Sequence, residues 1–348
     1  MKIGIINNLF FPYDRGGAER IVANQTNTLQ RDGHDVFLIT TKPIGASPLE
    51  SGLDFPIYRL ESQYFSLGGW PIFLRPAWQL ANLLSWRKYR ALKNLLIAQK
   101  PDLIITHNLM GLGFMTPLVI KKLGIEHEHW LHDIQLLHPS GLMMLGKEKD
   151  INSLLAKSYQ YLTRFFFASP SRVISPSKWL MQEHNKRKFF PASKKIINTI
   201  TTSPEQPGQL APVGPEKIFL FVGQVEAHKG ILALINAFKK SLGSDRRLII
   251  IGDGQKLEVA RRLAVGDPRI FFRGRLSHAD TKKAMTEASW LVVPSLCYEN
   301  FPTVISEAQA TGLPVIASAL GGIPEMLSTK DISYNPKNED ELIKHLSN

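Results

Sequence analysis

Short apolar runs recur along the whole chain, each followed by a stretch with helical spacing, and few folds tolerate that alternation. The runs fall at residues 3–7, 36–40, 103–107, 126–131 and 173–175, then at 218–222, 248–251, 270–272, 291–293 and 315–317. Strands this short and mostly apolar, alternating with helical stretches, predict parallel sheets layered with helices on both faces. A chain of 348 residues exceeds the ~250–300 residues at which single cores stop growing, so the α/β pattern is expected to build two doubly wound, Rossmann-like domains. Residues 201–215 hold four prolines and two glycines and read as the linker. The expected division is 1–205 and 206–348, the two facing across a cleft at the carboxyl ends of their strands, where such sheets bind ligands.

One cysteine in the whole chain rules out an internal disulfide and fits a reducing compartment. Met1-Lys2 leads directly into the first apolar run, so no export leader is expected, and no run approaches the ~18–20 residues of a spanning helix. A cytoplasmic protein, peripheral on the inner membrane face at most, is the expectation. Of the formal net charge of +12, +10 lies in residues 1–208, so the first half is the one expected to meet something anionic. Nothing resembles a nucleic-acid module, and no His/Cys spacing closes a metal site.

The segment Tyr298-Glu299-Asn300-Phe301-Pro302-Thr303-Val304-Ile305-Ser306-Glu307 sets two carboxylates eight residues apart, where an apolar run gives way to a helix expected over 303–311. Gly312 is placed to cap that helix and Pro314 to stop it. Backbone N–H groups at a helix start, with the dipole behind them, attract phosphate. A carboxylate one turn inside can accept hydroxyl hydrogens from a ribose, while the earlier one faces whatever the phosphate carries. This arrangement suits an activated sugar.

Other motifs read two ways. Lys229, in the turn Gln224 to Gly230 before a helix expected over 231–240, sits where the dipole disfavours a cation; a phosphate partner explains it, and so does simple solvation. Gly16-Gly17-Ala18-Glu19 after the first run is either a tight turn or a place for backbone to approach a phosphate or sugar. Gly252-Asp253-Gly254 lacks the full dinucleotide fingerprint and is a turn that can line the cleft. His107-Asn108 and His132-Asp133 close two predicted strands and point to the cleft or into the core, His132 having the better case as a site residue. Cys297 reads as packing. Residues 64–96 mix Trp70, Trp78 and Trp86 with Arg75, Arg87, Lys88, Arg90 and Lys93, a composition suited to an anionic bilayer or to an ordinary amphipathic helix. A second basic cluster, at residues 186–195, favours the bilayer.

Together these pieces resemble the family 4 retaining glycosyltransferases of the GT-B fold, from Met1 to about Glu341. The most specific stretch runs from Glu299 to Glu325, with Ala308-Gln309-Ala310-Thr311-Gly312, Pro314-Val315-Ile316-Ala317-Ser318 and Gly321-Gly322-Ile323-Pro324-Glu325. The turn at Gly16, Pro101-Asp102 before His107-Asn108, and Ile174-Ser175-Pro176-Ser177-Lys178 match as well. The resemblance implies an N-terminal acceptor domain, a C-terminal nucleotide-sugar domain, and metal-independent transfer of a hexosyl group with retention, the donor (a UDP- or GDP-sugar first) being a substrate and not a cofactor. The acceptor it implies is a cell-surface glycan or a lipid-linked sugar, as in polysaccharide biosynthesis. It places Glu299 against the donor sugar, Glu307 on the ribose, Lys229 on the diphosphate and His132 beside the reacting centre. Gly16 and Gly17, Gly252 and the backbone of Asn300, Phe301, Pro302, Thr303 and Val304 would line the donor. Many relatives carry arginine where Gln224 stands, so a cation is missing unless Arg275 or Lys178 replaces it. They also usually continue past the helix start near Glu339. Both departures motivate an alternative, a weak or inactive relative that binds nucleotide sugar or a partner transferase as a scaffold. A GT-B sugar-nucleotide epimerase is less favoured.

Overall fold

In the computed structural model, which describes residues 1–14, 16–47, 53–71, 74–199 and 216–348, all ladders between the named strands are parallel. The chain divides into two units, Met1–Gly141 with Lys149–Asn198, and Leu142–Glu148 with Thr199–Asn348. The expected linker, 201–215, lies outside the described residues.

In the first unit the elements are β1 (Lys2–Ile6), α1 (Gly17–Arg31), β2 (Asp35–Pro43), β3 (Ile57–Ser62), α2 (Arg75–Leu83), α3 (Trp86–Gln99), β4 (Leu103–Thr106), α4 (Thr116–Lys122), β5 (Glu126–Trp130), α5 (Leu154–Phe167), β6 (Arg172–Ser175), α6 (Lys178–Lys186) and β7 (Lys194–Ile197). The strands lie in the order β3-β2-β1-β4-β5-β6-β7. Progression runs one way from β1 and the other way from β4, so the loops after β1 and β4 open at the topological switch point, where a doubly wound sheet binds its ligand. Ile3, Ile5, Val36, Leu38, Leu103 and Ile105 pack with Val22 of α1 in one core cluster. β5 breaks the apolar rule, since Glu-His-Glu-His-Trp runs through the middle of the sheet with His127, Glu128 and His129 buried. Hydrogen bonding offsets the cost of burying these groups. The Thr106 hydroxyl lies 2.7 Å from His127 Nε2 and 2.8 Å from His129 Nδ1, within hydrogen-bonding distance of both rings. On the opposite face Trp130 Nε1 donates to Glu128 at 2.6 Å and Arg172 pairs with it at 2.9 Å.

The second unit continues with β8 (Lys217–Val222), α7 (Ile231–Lys240), β9 (Arg246–Ile251), α8 (Leu257–Ala264), β10 (Ile270–Gly274), α9 (His278–Glu287), β11 (Trp290–Val293), α10 (Thr303–Thr311), β12 (Val315–Ser318), β13 (Ile332–Tyr334) and α11 (Glu339–Ser347). Its order, β10-β9-β8-β11-β12-β13, puts the switch point between β8 and β11. Alternate residues feed two cores. Phe219, Phe221, Leu248, Ile250, Val292 and Ile316 meet α7, α8 and α11 on one face; Leu220, Ile251, Leu291, Val293, Val315 and Ala317 meet α9 and α10 on the other. The expected helices at 231–240 and 303–311 form with those bounds, and Gly312 closes the latter at φ 81°.

β3, β7 and β13 escaped the sequence reading. β7 and β13 are edge strands with polar or exposed positions, Lys194-Lys195 and the exposed Ser333, and β3, at the other edge, carries Arg59 and Glu61. Edges have no second partner to demand an apolar run. The 64–96 stretch is not one surface helix. It is a 3₁₀ turn followed by α2 and α3, with Trp78, Tyr89, Leu92 and Leu96 in the core.

Candidate functional site

The loops after β8 and β11 meet at the switch point of the second unit. Lys229 ends a 3₁₀ turn, Ala227–Lys229, and its Nζ donates to Glu299 Oε2 at 2.7 Å. Ser295 Oγ donates to the other carboxylate oxygen, so both oxygens of Glu299 are held. Burial disfavours the Lys229 ammonium, but the neighbouring Glu299 carboxylate outweighs it and the pKa lies above the ordinary lysine value. The oddly placed lysine of the sequence reading therefore has a protein partner, and a bound phosphate is not needed to explain its position.

Glycines make this convergence possible. Gly230, at φ 72°, packs so closely under Pro294 that an added Cβ would overlap the Pro294 carbonyl oxygen. A Cβ at Gly321, at φ 64°, would overlap the Glu299 carbonyl oxygen, and Gly322 N–H donates to that same oxygen at 2.7 Å. The Gly321-Gly322 pair is thus the seat of the Glu299 backbone. A further support comes from Leu142–Glu148, which precedes the unit's other residues by some fifty positions. Leu145 N–H donates to Leu296 O at 2.9 Å, Tyr298 N–H to Met143 O at 2.8 Å, and Tyr298 Oη to Glu148 at 2.9 Å. Cys297 lies inside this contact, its thiol pushed up to about 12 by burial and by Glu299, which suits packing and not nucleophilic chemistry.

From Glu299 the chain runs through buried Asn300 and half-buried Phe301 and Pro302 into α10. Pro302 is its N-cap, no side chain caps the helix start, and Thr303 and Val304 open its first turn. Glu307 follows in the second turn, half-buried. Gln224, Gly252 and Arg275 occupy the carboxyl ends of three neighbouring strands, β8, β9 and β10. Gly252, at φ 139°, sits against the Gly223 carbonyl with no room for a Cβ and donates to Gly274 O at 2.8 Å. Gln224 and Arg275 are exposed.

In the first unit, Gly16 is the extended N-cap of α1 and Gly17 its first residue, and the Gly16 N–H donates to Glu19 at 3.0 Å. An added Cβ at Gly16 would meet only Glu19 Oε2, at 3.8 Å, leaving the turn open. His132, after β5, lines a pocket of about 10 Å³ with His107, Asn108, Trp130 and Asp133, room for one water and far too little for a sugar. Gln25 Oε1 accepts from His107 Nε2 at 2.9 Å, leaving His107 Nδ1 to accept from His132 Nε2 at 2.8 Å. That chain places the His132 proton on Nε2. Surrounding protein atoms push His132 down to about 4 and, in the opposite sense, Asp133 up to about 6. Gln25 and Ser295 were missed from sequence because each acts through another side chain distant in the chain. Among the described residues, no three or more His, Cys, Asp or Glu side chains cluster so as to hold a metal ion.

Two doubly wound α/β units in tandem, with polar side chains at their switch points, define the architecture of the GT-B transferases. The family model described as Glycosyltransferase Family 4 matches residues 15–197, and that described as Glycosyl transferases group 1 matches residues 216–348. The chain belongs to glycosyltransferase family 4. It is 23% identical over 350 residues to N-acetyl-alpha-D-glucosaminyl L-malate synthase of Bacillus anthracis, covering 96% of this chain and 83% of that one. It is 22% identical over 367 residues to the putative teichuronic acid biosynthesis glycosyltransferase TuaC of Bacillus subtilis, covering 100% and 88%. The fold matches that of Anabaena HepE in complex with UDP at a TM-score of 0.68 and 20% identity, over 99% of this chain and 89% of that one.

Proposed function

We propose that this glycosyltransferase moves a hexosyl group from a nucleoside diphosphate sugar to a cell-surface glycan or lipid-linked acceptor, with retention and without a metal ion. The observation that carries the donor reading is the Lys229–Glu299–Ser295 cluster at the β8/β11 switch point, one loop ahead of the uncapped start of α10. In this reading the diphosphate lies at the α10 N-terminus and takes its counter-charge from Lys229, which stabilises the negative charge as the sugar leaves. Donors aimed at developing charge contribute about 3–4 kcal/mol each. Glu299, with both oxygens held, keeps a fixed carboxylate toward the sugar, and Glu307 accepts from the ribose hydroxyls. His132 sits beside the reacting centre and positions sugar or acceptor from the edge of its one-water pocket, and Gly16 and Gly17 let backbone come close. The UDP in the HepE structure and the teichuronic acid pathway named for TuaC support donor and acceptor class respectively.

The exposed neutral amide of Gln224 hydrogen-bonds phosphate without offsetting its charge, and it favours a second reading as a weak transferase or donor-binding scaffold. A panel of UDP-, GDP-, ADP- and dTDP-sugars screened by thermal shift, followed by hydrolysis and transfer assays, separates the two. Lys229→Ala and Glu307→Ala are each expected to weaken binding of the stabilising donor with the fold intact; normal affinity in both variants ends the site assignment. Donor binding with no turnover on any acceptor pool supports the scaffold.

A further inference from the structure

The outer face of α5 is apolar where a helix against water should be polar. Its inward residues, Ala156, Tyr159, Gln160, Thr163, Phe166 and Phe167, are buried. On the far side Leu154 is 81% exposed, Leu155 85%, Tyr161 64% and Phe165 63%. Single apolar residues on a surface are ordinary, but four large ones spaced along one helical face mark something that covers them.

Charge identifies the covering material. α4 packs between α3 and α5, and these three helices carry eight Lys and Arg and no Asp or Glu. Arg90, Lys93, Lys122 and Lys157 are exposed on them, together with Trp86 at 60%. A second copy of the chain docked face to face would set like charge against like. A nucleic acid would satisfy the cations but leave protruding leucines unused. An anionic bilayer meets both demands, taking the apolar side chains between acyl chains and the Lys and Arg heads at the phosphates. We propose that the α3–α4–α5 face of the first unit docks on an anionic lipid bilayer, with Leu154, Leu155, Tyr161 and Phe165 inserted. This surface is centred on α5 and reaches only the α3 part of the 64–96 stretch.

Flotation of the full chain with phosphatidylcholine vesicles, with and without phosphatidylglycerol, tests the assignment. The protein is expected to float with the phosphatidylglycerol vesicles at low salt and to remain below with phosphatidylcholine alone. Leu155→Ser with Phe165→Ser should cut the bound fraction by at least about tenfold. Arg90→Gln and Lys93→Gln should each cut it roughly fivefold, with release by salt. All these positions are exposed, so melting temperatures should match wild type. Failure to float, or flotation indifferent to the Leu155/Phe165 change, overturns the proposal. So does a wild-type dimer in size-exclusion light scattering that the same double substitution converts to monomer, since a protein would then cover the face.

Discussion

At the scale of single residues the loop that carries Glu299 depends on two glycines and one ion pair. Gly321→Ala adds a Cβ where the Glu299 carbonyl lies and strains a φ of 64°, so a loss of at least about 2 kcal/mol is expected, read as a lower denaturation midpoint together with weakened donor binding. Gly16→Ala is the control in the other direction: its φ of −168° is extended backbone and the space is open. Stability within about 0.5 kcal/mol of wild type is expected there, and any fall in turnover then reports a ligand passing over the turn. Lys229→Ala should reduce donor affinity roughly 10- to 100-fold, the range for losing one charged hydrogen bond, as measured by titration calorimetry. The sequence made Lys229, Glu299 and the Gly-Gly motif legible as separate signals. It did not show that Gly321 seats Glu299 or that Ser295 fixes its second oxygen, because these contacts bridge loops that only the sheet order brings together.

At the scale of elements the buried parallel strands were readable because cover on both faces forces apolar sequence, and three of the four edge strands were not because nothing forces it there, β10 with its Ile270-Phe271-Phe272 run being the exception. α11 illustrates a tertiary choice that local pattern cannot reveal. Its expected start near Glu339 is right, but it packs back on α7 within its own unit, with Leu342 and Leu346 buried and Lys240 pairing with Glu339 at 2.8 Å. Leu346 is fully buried, so Leu346→Ala should cost about 2–5 kcal/mol by the cavity it leaves. Chemical denaturation followed by far-UV circular dichroism should show that loss in the transition of the second unit, whereas an unchanged midpoint would mean that α11 is only loosely attached.

For the whole molecule, acid should act unequally on the two units. The first unit buries His107, His127, His129 and His184, all held below the ordinary imidazole range chiefly by burial, His127 at about 3 and His184 at about 4. Above pH ~6.5 these neutral rings impose no pH-dependent penalty. As pH falls below that value, the unfolded chain takes up protons that the folded rings refuse, His127 until about 3 and His184 until about 4. Each ring therefore removes up to about 1.4 kcal/mol of stability per pH unit through that window. Asp133, raised to about 6, works in the opposite sense from its folded value down to its ordinary one and cancels about one ring. Calorimetry from pH 7.5 to 5 should show the first unit's transition moving down well ahead of the second's; parallel movement would refute the histidine account. The two units also share the chain less simply than a single boundary near 205 implies, because Leu142–Glu148 is spliced into the second unit against residues 296–298. Exchanging halves between relatives at one junction would therefore graft a foreign strip beneath the Glu299 loop, and a working hybrid requires that this heptapeptide travel with the C-terminal portion.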